Sequence, residues 1–256
     1  MINLKTPTEI DIMRRGGKIL RRVLLTLLTR AKLGVSLLDL DKLAESMILS
    51  AGAEPSFKHV KGYKWTICVC VNDVVVHGIP TGYCLKTGDK LGIDCGVYYD
   101  GFHTDAAWTI KIKNEKLKNK NENNEVDRFL AVGEKALSSA IKQVKVGNYI
   151  YDISKAIQEN VEKNGYSTVK NLVGHGIGRN LHEAPEVPCF VKNNREETAK
   201  ISSGMALAIE VIYNMGEDKV KYKGSDGWTI TTKDGKISGL FEATVVAIPH
   251  GCLILT

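Results

Sequence analysis

Apolar and polar positions along this chain fall into two successive sets of helix-then-strand patterns. From Pro7 to about residue 30 the apolar side chains recur at helical spacing. A start signal precedes them: Thr6 is a cap, Pro7 suits the first helical position, and Glu9 reaches back to the cap. A second amphipathic stretch runs from about Ser36 to Ala51. Strand patterns follow at 66–76 ("TICVCVNDVVV"), 90–98 and 102–112. After the polar stretch 113–125, helical periodicity returns at about 126–145 and 150–164. Further strands are predicted at about 205–213, 228–232 and 240–248.

The order is the same twice, and short alignments reinforce it. Gly34, Asp39, Lys42 and Gly52 fall on Gly147, Asp152, Lys155 and Gly165 at one offset. Gly88, Leu91, Ile93 and Asp94 fall on Gly204, Leu207, Ile209 and Glu210. Setting "FHTDAAWTI" beside "GLFEATVVA" puts Asp105 on Glu242. We read one unit, residues 1–256, built from halves of about 1–112 and 126–256 around a pseudo-two-fold axis and sharing one core.

That repeat gives meaning to "ALAIEVIY" at 206–213, where Glu210 interrupts a buried-strand pattern. A lone buried carboxylate is costly. In the first half, Asp100-Gly101 is a two-residue hairpin turn, so Tyr99 pairs with Phe102 and Gly96 with Asp105. Asp94 and Asp105 are then diagonal neighbours on one sheet face. The repeat predicts the same diagonal for Glu210 and Glu242. Single acids on hairpins are ordinarily solvated or paired with Lys or Arg. Four placed in pairs by a repeat point instead to cations: two divalent ions would neutralise them, a recurring hydrolytic arrangement with metals about 3.5–4 Å apart.

Composition limits the alternatives. The chain has 43% hydrophobic and 25% charged residues, ordinary for a globular protein. Its start has no basic segment followed by an apolar one, and "VLLTLL" at 23–28 is too short to span a bilayer, so the expected compartment is the cytoplasm, with no membrane contact. The six cysteines form no C-x-x-C pair and are expected to be free, mostly buried thiols. The net charge of +6 is consistent with weak attraction to RNA but is spread along the chain.

The stretch "LVGHGIGRNLHEAP" (172–185) is glycine-rich but matches neither a phosphate loop nor a dinucleotide fingerprint. Its glycines are expected to let backbone approach a site around His175. His175 and His182, seven apart, are a weak metal signal alone. His77 ends the apolar run "VVVHGIP"; a lone histidine there is ordinarily structural.

Together, "NDVVVHGIP", "GIDCGVYYDGFHTDAAW", "GHGIGRNLHEAP", "GMALAIEVIY" and "DGWTITTKDGKISGLFEATVVAI" resemble methionine aminopeptidases of the bacterial type I kind, over essentially the whole chain. The resemblance implies an α/β (α+β) pita-bread fold, creatinase/aminopeptidase-like: a curved antiparallel sheet from two pseudo-symmetric halves, with outer helices. It implies five metal ligands, Asp94, Asp105, His175, Glu210 and Glu242, holding two divalent ions of Co, Mn, Fe or Zn. Asp105 and Glu242 would bridge them. Glu210 is implied as proton shuttle, with His182 polarising the scissile carbonyl and His77 contacting a substrate backbone nitrogen. Tyr63, Cys68, Leu181 and Trp228 would wall the methionine pocket. The implied preference for a small second residue is inherited from the family. Two positions depart from many relatives: Leu181 replaces an aromatic residue, and Ala243 replaces a histidine beside Glu242, with an expected effect on metal affinity.

The reaction expected is release of N-terminal methionine from nascent proteins by a monomer. The alternatives are a prolidase or Xaa-Pro aminopeptidase on the same fold, or a non-catalytic binding protein, which would be expected to have lost ligands. No sequence-specific nucleic-acid partner is expected. Lys111, Lys113, Lys116, Lys118 and Lys120 form a candidate basic contact with the ribosome surface.

Overall fold

In the computed structural model, which describes residues 2–113 and 124–256, the first half is two helices followed by a hairpin sheet. Its elements are α1 (Pro7–Arg30), α2 (Leu37–Ser50), β1 (Glu54–Pro55), β2 (Ile67–Val71), β3 (Val74–Val76), β4 (Lys90–Tyr99) and β5 (Phe102–Lys111). The second half repeats the plan with α3 (Asn124–Ile141), α4 (Ile150–Glu162), β6 (Ser167–Thr168), β7 (Val173–Gly176), β8 (Glu183–Pro188) and β9 (Ala206–Asn214). It continues with β10 (Val220–Tyr222), β11 (Ile230–Thr232), β12 (Ser238–Ile248) and β13 (Gly251–Ile254).

Local chemistry starts these elements where the sequence predicts. The Glu9 N–H donates to Thr6 Oγ1 at 3.3 Å, and the Thr6 N–H donates to the Glu9 carboxylate at 2.9 Å, closing the capping box of α1. Asp100 and Gly101 have φ of 48° and 88°, as a two-residue hairpin with the twist of its strands requires. Tyr99 pairs with Phe102 and Gly96 with Asp105, as expected.

One antiparallel sheet runs through both halves in the order β1-β4-β5-β12-β9-β7-β8, with β2 on β4, β6 on β9 and β13 on β12. α1 packs on β4 and β5, and α3 on β9 and β12. Each helix pair buries its own apolar cluster against the sheet, such as Leu20, Leu27, Leu40 and Ile93 in one half and Phe129, Ile153, Ile209 and Phe241 in the other. A third cluster holds Phe57, Tyr63, Cys68, Leu181 and Ala208.

The pseudo-symmetry extends to single residues. Gly34 and Gly147, Gly52 and Gly165, and Gly88 and Gly204 share left-handed φ, at 83° and 96°, 72° and 83°, and 87° and 85°. Glu54 opposite Tyr98 in the first half recurs as Ser167 opposite Asn214 in the second. At the join, the Thr109 hydroxyl donates to Leu240 O at 2.6 Å, and the Thr244 hydroxyl donates to Asp105 O at 2.8 Å.

Those reciprocal threonines correct one sequence alignment. They make Leu240, not Glu242, the structural counterpart of Asp105, and Ala107 the counterpart of Glu242. Glu242 stands directly opposite Glu210, whereas Asp94 stands opposite Ala107. The expected diagonal therefore holds for the aspartates only. The error is two residues, and a shift of two keeps a side chain on the same sheet face, which is why the constellation survives it.

Four other expectations change. The stretch 66–76 is two strands separated at Asn72 (φ 51°), and β3 joins a small sheet with β10 and β11. The glycine-rich stretch 172–185 contains β7 and the start of β8, and Trp228 precedes β11 rather than lying in it. Lys111 pairs with Asp127 at 3.4 Å with its side chain only 6% exposed, so it is no free basic contact. Lys116, Lys118 and Lys120 lie outside the described residues. The cysteines are free, with Cys68, Cys70, Cys95 and Cys189 buried and Cys84 exposed. No described helix is long and apolar enough to cross a membrane.

Candidate metal centre and substrate pocket

Asp94 on β4, Asp105 on β5, Glu242 on β12 and Glu210 on β9 come from four adjacent strands and line one cavity of about 130 Å³. Strand alternation aims all four away from the helices. Burial raises the pKa of each. Desolvation pushes Asp94 up to about 7. Desolvation, then the negative neighbours, push Asp105, Glu210 and Glu242 well above the ordinary range.

His175 enters from β7, paired with Ala208 of β9. Its Nδ1 lies 2.8 Å from Gly176 O, which fixes the proton on that nitrogen. Nε2 is then free as an electron-pair donor, 3.7 Å from Glu210 Oε1. Desolvation lowers the imidazole pKa to about 4, so this contact is not an ion pair at neutral pH. The flanking glycines make the geometry possible: a Cβ on Gly176 would lie 2.2 Å from Ala184 O, and one on Gly174 2.6 Å from Ala208 O.

This group of side chains fits a divalent cation. Donor atoms of Asp105, His175 and Glu242 all lie within 4.8 Å of one another. Asp94 Oδ1 and Glu242 Oε1 are buried without a hydrogen-bond partner. Buried carboxyl oxygens with no donor, beside a neutral imidazole, are suited to a cation, which would hold them ionised where burial alone disfavours their charge. The oxygen-rich set with one nitrogen suits Mn, Fe, Co or Zn alike.

The rim differs in character. His77 and His182 are exposed at the mouth of the cavity. Desolvation lowers the pKa of both, and His182 lowers that of His77 further. The His182 ring meets the His175 ring edge-on at 4.4 Å. His77 holds φ at 54°, a strained setting for a residue with a Cβ. Tyr63, Cys68, Leu181 and Trp228 form the apolar wall, with Cys68 directly beside Asp94 across β2 and β4. The Tyr63 hydroxyl donates to Ile67 O at 2.9 Å and also contacts Cys68 Sγ at 3.1 Å, and Trp228 meets the Tyr63 ring edge-on at 5.1 Å.

All eleven residues singled out in the sequence therefore line one cavity. Two more, Phe57 and Val60, belong to the wall and were missed, because "SFKHV" is a short irregular segment without periodicity. Ala243 follows Glu242 on β12 and points to the other face of the sheet. It pairs with Ala106 and lines the helix side of the sheet with Leu24, Leu28 and Trp108.

The model of metallopeptidase family M24 matches residues 11–247. The chain belongs to the methionine aminopeptidases of that family. It is 44% identical to a methionine aminopeptidase of Clostridium perfringens, covering 100% of this chain and 99% of that one. Identity to methionine aminopeptidase 1 of Bacillus subtilis is 40%, with the same coverage. The crystal structure of methionine aminopeptidase from Thermotoga maritima superposes with a TM-score of 0.93 at 35% identity, covering 100% and 99% of the two chains. The fold is accordingly the pita-bread fold, and the family implies a divalent metal.

Proposed function

We propose that this chain hydrolyses the N-terminal methionine of peptides and nascent proteins when the second residue is small, using two divalent cations. The observation that carries this reading is the junction of the buried carboxylate–imidazole cluster with an aromatic, sulfur-lined pocket in a single cavity.

Asp94, Asp105, His175, Glu210 and Glu242 are the residues that would hold the ions. When bound, the cations supply Lewis-acid activation of water and of the scissile carbonyl. Glu210 accepts the proton from the attacking water on its carboxylate and delivers it to the leaving amine. Its side chain lines the cavity and is 14% exposed, so the carboxylate is open to the pocket, which supports that role. His182, neutral because its pKa is lowered, donates an N–H to the substrate carbonyl oxygen as charge develops there. His77, on the same rim, contacts the backbone nitrogen of the following residue.

The pocket of Phe57, Val60, Tyr63, Cys68, Leu181 and Trp228 receives the methionine side chain. A thioether packs favourably against aromatic edges, and Tyr63 and Trp228 supply them. The same reading has the chain acting as a monomer in the cytoplasm, on N-termini emerging from the ribosome. Of its proposed basic contact, Lys113 is exposed and Lys111 is excluded by its pairing with Asp127.

The test is a peptide panel run with Mn, Fe, Co and Zn in turn. Release of methionine from Met-Ala-Ser is expected to outrun cleavage of Xaa-Pro peptides. Faster cleavage of the proline peptides would replace this reading with a prolidase-type one. Undiminished activity after metal stripping would remove the metal from the reaction.

A further inference from the structure

Far from the carboxylate floor in sequence, Lys5 is inserted beneath the loop that carries His182. Its Nζ lies 2.6 Å from Glu183 Oε2, and both side chains are only 4% exposed. The same ammonium donates to Asn3 O at 2.8 Å. The other Glu183 oxygen accepts from the Asn180 N–H at 3.1 Å. One buried ion pair thus joins residues 3–5 to both ends of the segment 180–183, which contains Leu181 and His182.

The surroundings are built around this insertion. A Cβ on Gly178 would lie 2.2 Å from Lys5 Cε and 2.9 Å from Glu183 Oε1, so the last glycine of "GHGIG" leaves room for the lysine. The Lys5 N–H donates to Gly204 O at 2.7 Å, and Leu4 bridges to Met205, which anchors the lysine to the strand end before β9. A second grip acts on the same loop from the first turn of α1: Arg179 Nη2 lies 2.9 Å from Glu9 Oε1. His175, by contrast, is held by the β7 ladder. The loop leaves that ladder at Gly176 and returns to it at Glu183, and His182 is the last residue before the return.

We propose that Lys5 and Glu183 are positioning residues for the hydrolysis: their buried pair fixes the Leu181–His182 segment against the mouth of the cavity. This rests on the reading of His182 given above. A rim side chain on a hairpin loop has no ladder of its own to hold it. A pair of charges removed from water supplies the missing constraint, because neither can leave without the other being stranded. Misplacing a catalytic contact by about 1 Å costs on the order of 10²-fold in rate.

The experiment combines Lys5→Met, Glu183→Gln and their double variant, each in wild-type and His182→Ala backgrounds, with steady-state kinetics on Met-Ala-Ser. Titration of Co2+ into the metal-stripped proteins and thermal unfolding accompany it. Each change is expected to lower kcat by about 10- to 100-fold with a much smaller effect on KM. Co2+ affinity is expected to stay within about threefold of wild type, since no proposed ligand moves. In the His182→Ala background the same changes are expected to add little further loss. The double variant strands no charge, so it stays folded where a single variant does not, and it is expected to show the same fall in kcat.

Equal losses in both backgrounds, or unchanged kcat in the double variant, would overturn the proposal. Full activity of His182→Ala alone would overturn the role of His182 and with it this inference. That outcome is separable, because it is read before Lys5 is altered.

Discussion

The two halves share a scaffold but contribute unequally to the site. The first offers Asp94 and Asp105; the second offers Glu210, Glu242 and His175. Only Asp94 and Glu210 occupy equivalent places, since Leu91 and Leu207, Gly92 and Ala208 align around them in matching ladders. In those ladders Cys70 stands where His175 does, and Val71 where Gly176 does. Ala107 is the counterpart of Glu242, and Leu240 of Asp105. Pseudo-symmetry therefore supplies the antiparallel frame and one pair of acids. The remaining three proposed ligands break it. Two of them, His175 and Glu242, belong to the second half, which therefore supplies three of the five proposed ligands.

The largest effect tests that asymmetry. Glu242→Gln and Asp105→Asn remove members of the close donor triple. Each is expected to lower Met-Ala-Ser turnover by at least about 10³-fold, equivalent to about 4 kcal/mol. Calorimetric titration is expected to show divalent-ion uptake lost in both. Asp94→Asn and Glu210→Gln, the symmetric pair, are expected to retain tightest binding of one ion while losing activity. Equal uptake losses in all four would mean that the symmetric acids hold the metal as strongly as the unmatched ones.

Stability separates the halves next. Gly176→Ala drives a Cβ to 2.2 Å from Ala184 O, a backbone atom that cannot step aside. Its cost is expected to be about 3 kcal/mol by urea unfolding. Val71→Ala at the matching place only shortens a partly buried side chain at the end of β2, and about 1 kcal/mol is expected. Similar values for the two would show that β7 is no more confined than β2.

A pH scan of the metal-stripped protein probes the carboxylate floor as a whole. Asp94 moves from an ordinary value of 3.8 to about 7 in the fold, and the other three also move upward. The four carboxylates thus hold more protons in the folded than in the unfolded state above their ordinary values. His77, His103, His175 and His182, lowered from 6.5 by burial, hold fewer in the fold below 6.5 and oppose them there. Above about 6.5 the carboxylates set the stability slope, which is negative. Unfolding temperature is expected to fall as pH rises from about 6.5 to about 7, and saturation with Co2+ is expected to flatten that fall. A rise with pH over the same window would mean that cationic neighbours dominate the floor.

What the sequence made legible follows from range. The capping box at Thr6 and the Asp100-Gly101 turn are local, and their chemistry alone fixes them. The four acids were legible because a carboxylate inside "ALAIEVIY" contradicts its surroundings, and a repeat explained the contradiction. The register between β5 and β12 was not, because it depends on Thr109 and Thr244 meeting backbone 131 and 139 residues away. Phe57 and Val60 carry no pattern. The Lys5–Glu183 pair spans 178 residues, and nothing near either residue marks it.

The smallest effect asks whether the repeat is energetic as well as geometric. Gly34 and Gly147 open the second helix of each half with φ of +83° and +96°, and a Cβ at either would meet nothing within 4 Å. Crowding therefore cannot distinguish them, and only the left-handed backbone remains. Alanine pays about 1 kcal/mol for that conformation. Gly34→Ala and Gly147→Ala are expected to destabilise the protein by about that amount each, and the double variant by about the sum, since the two turns share no contact. Equal costs would show that each half folds its helix entry by the same local rule. A cost confined to one half would show that the fold relies on that turn alone, and that the other φ is imposed by packing around it.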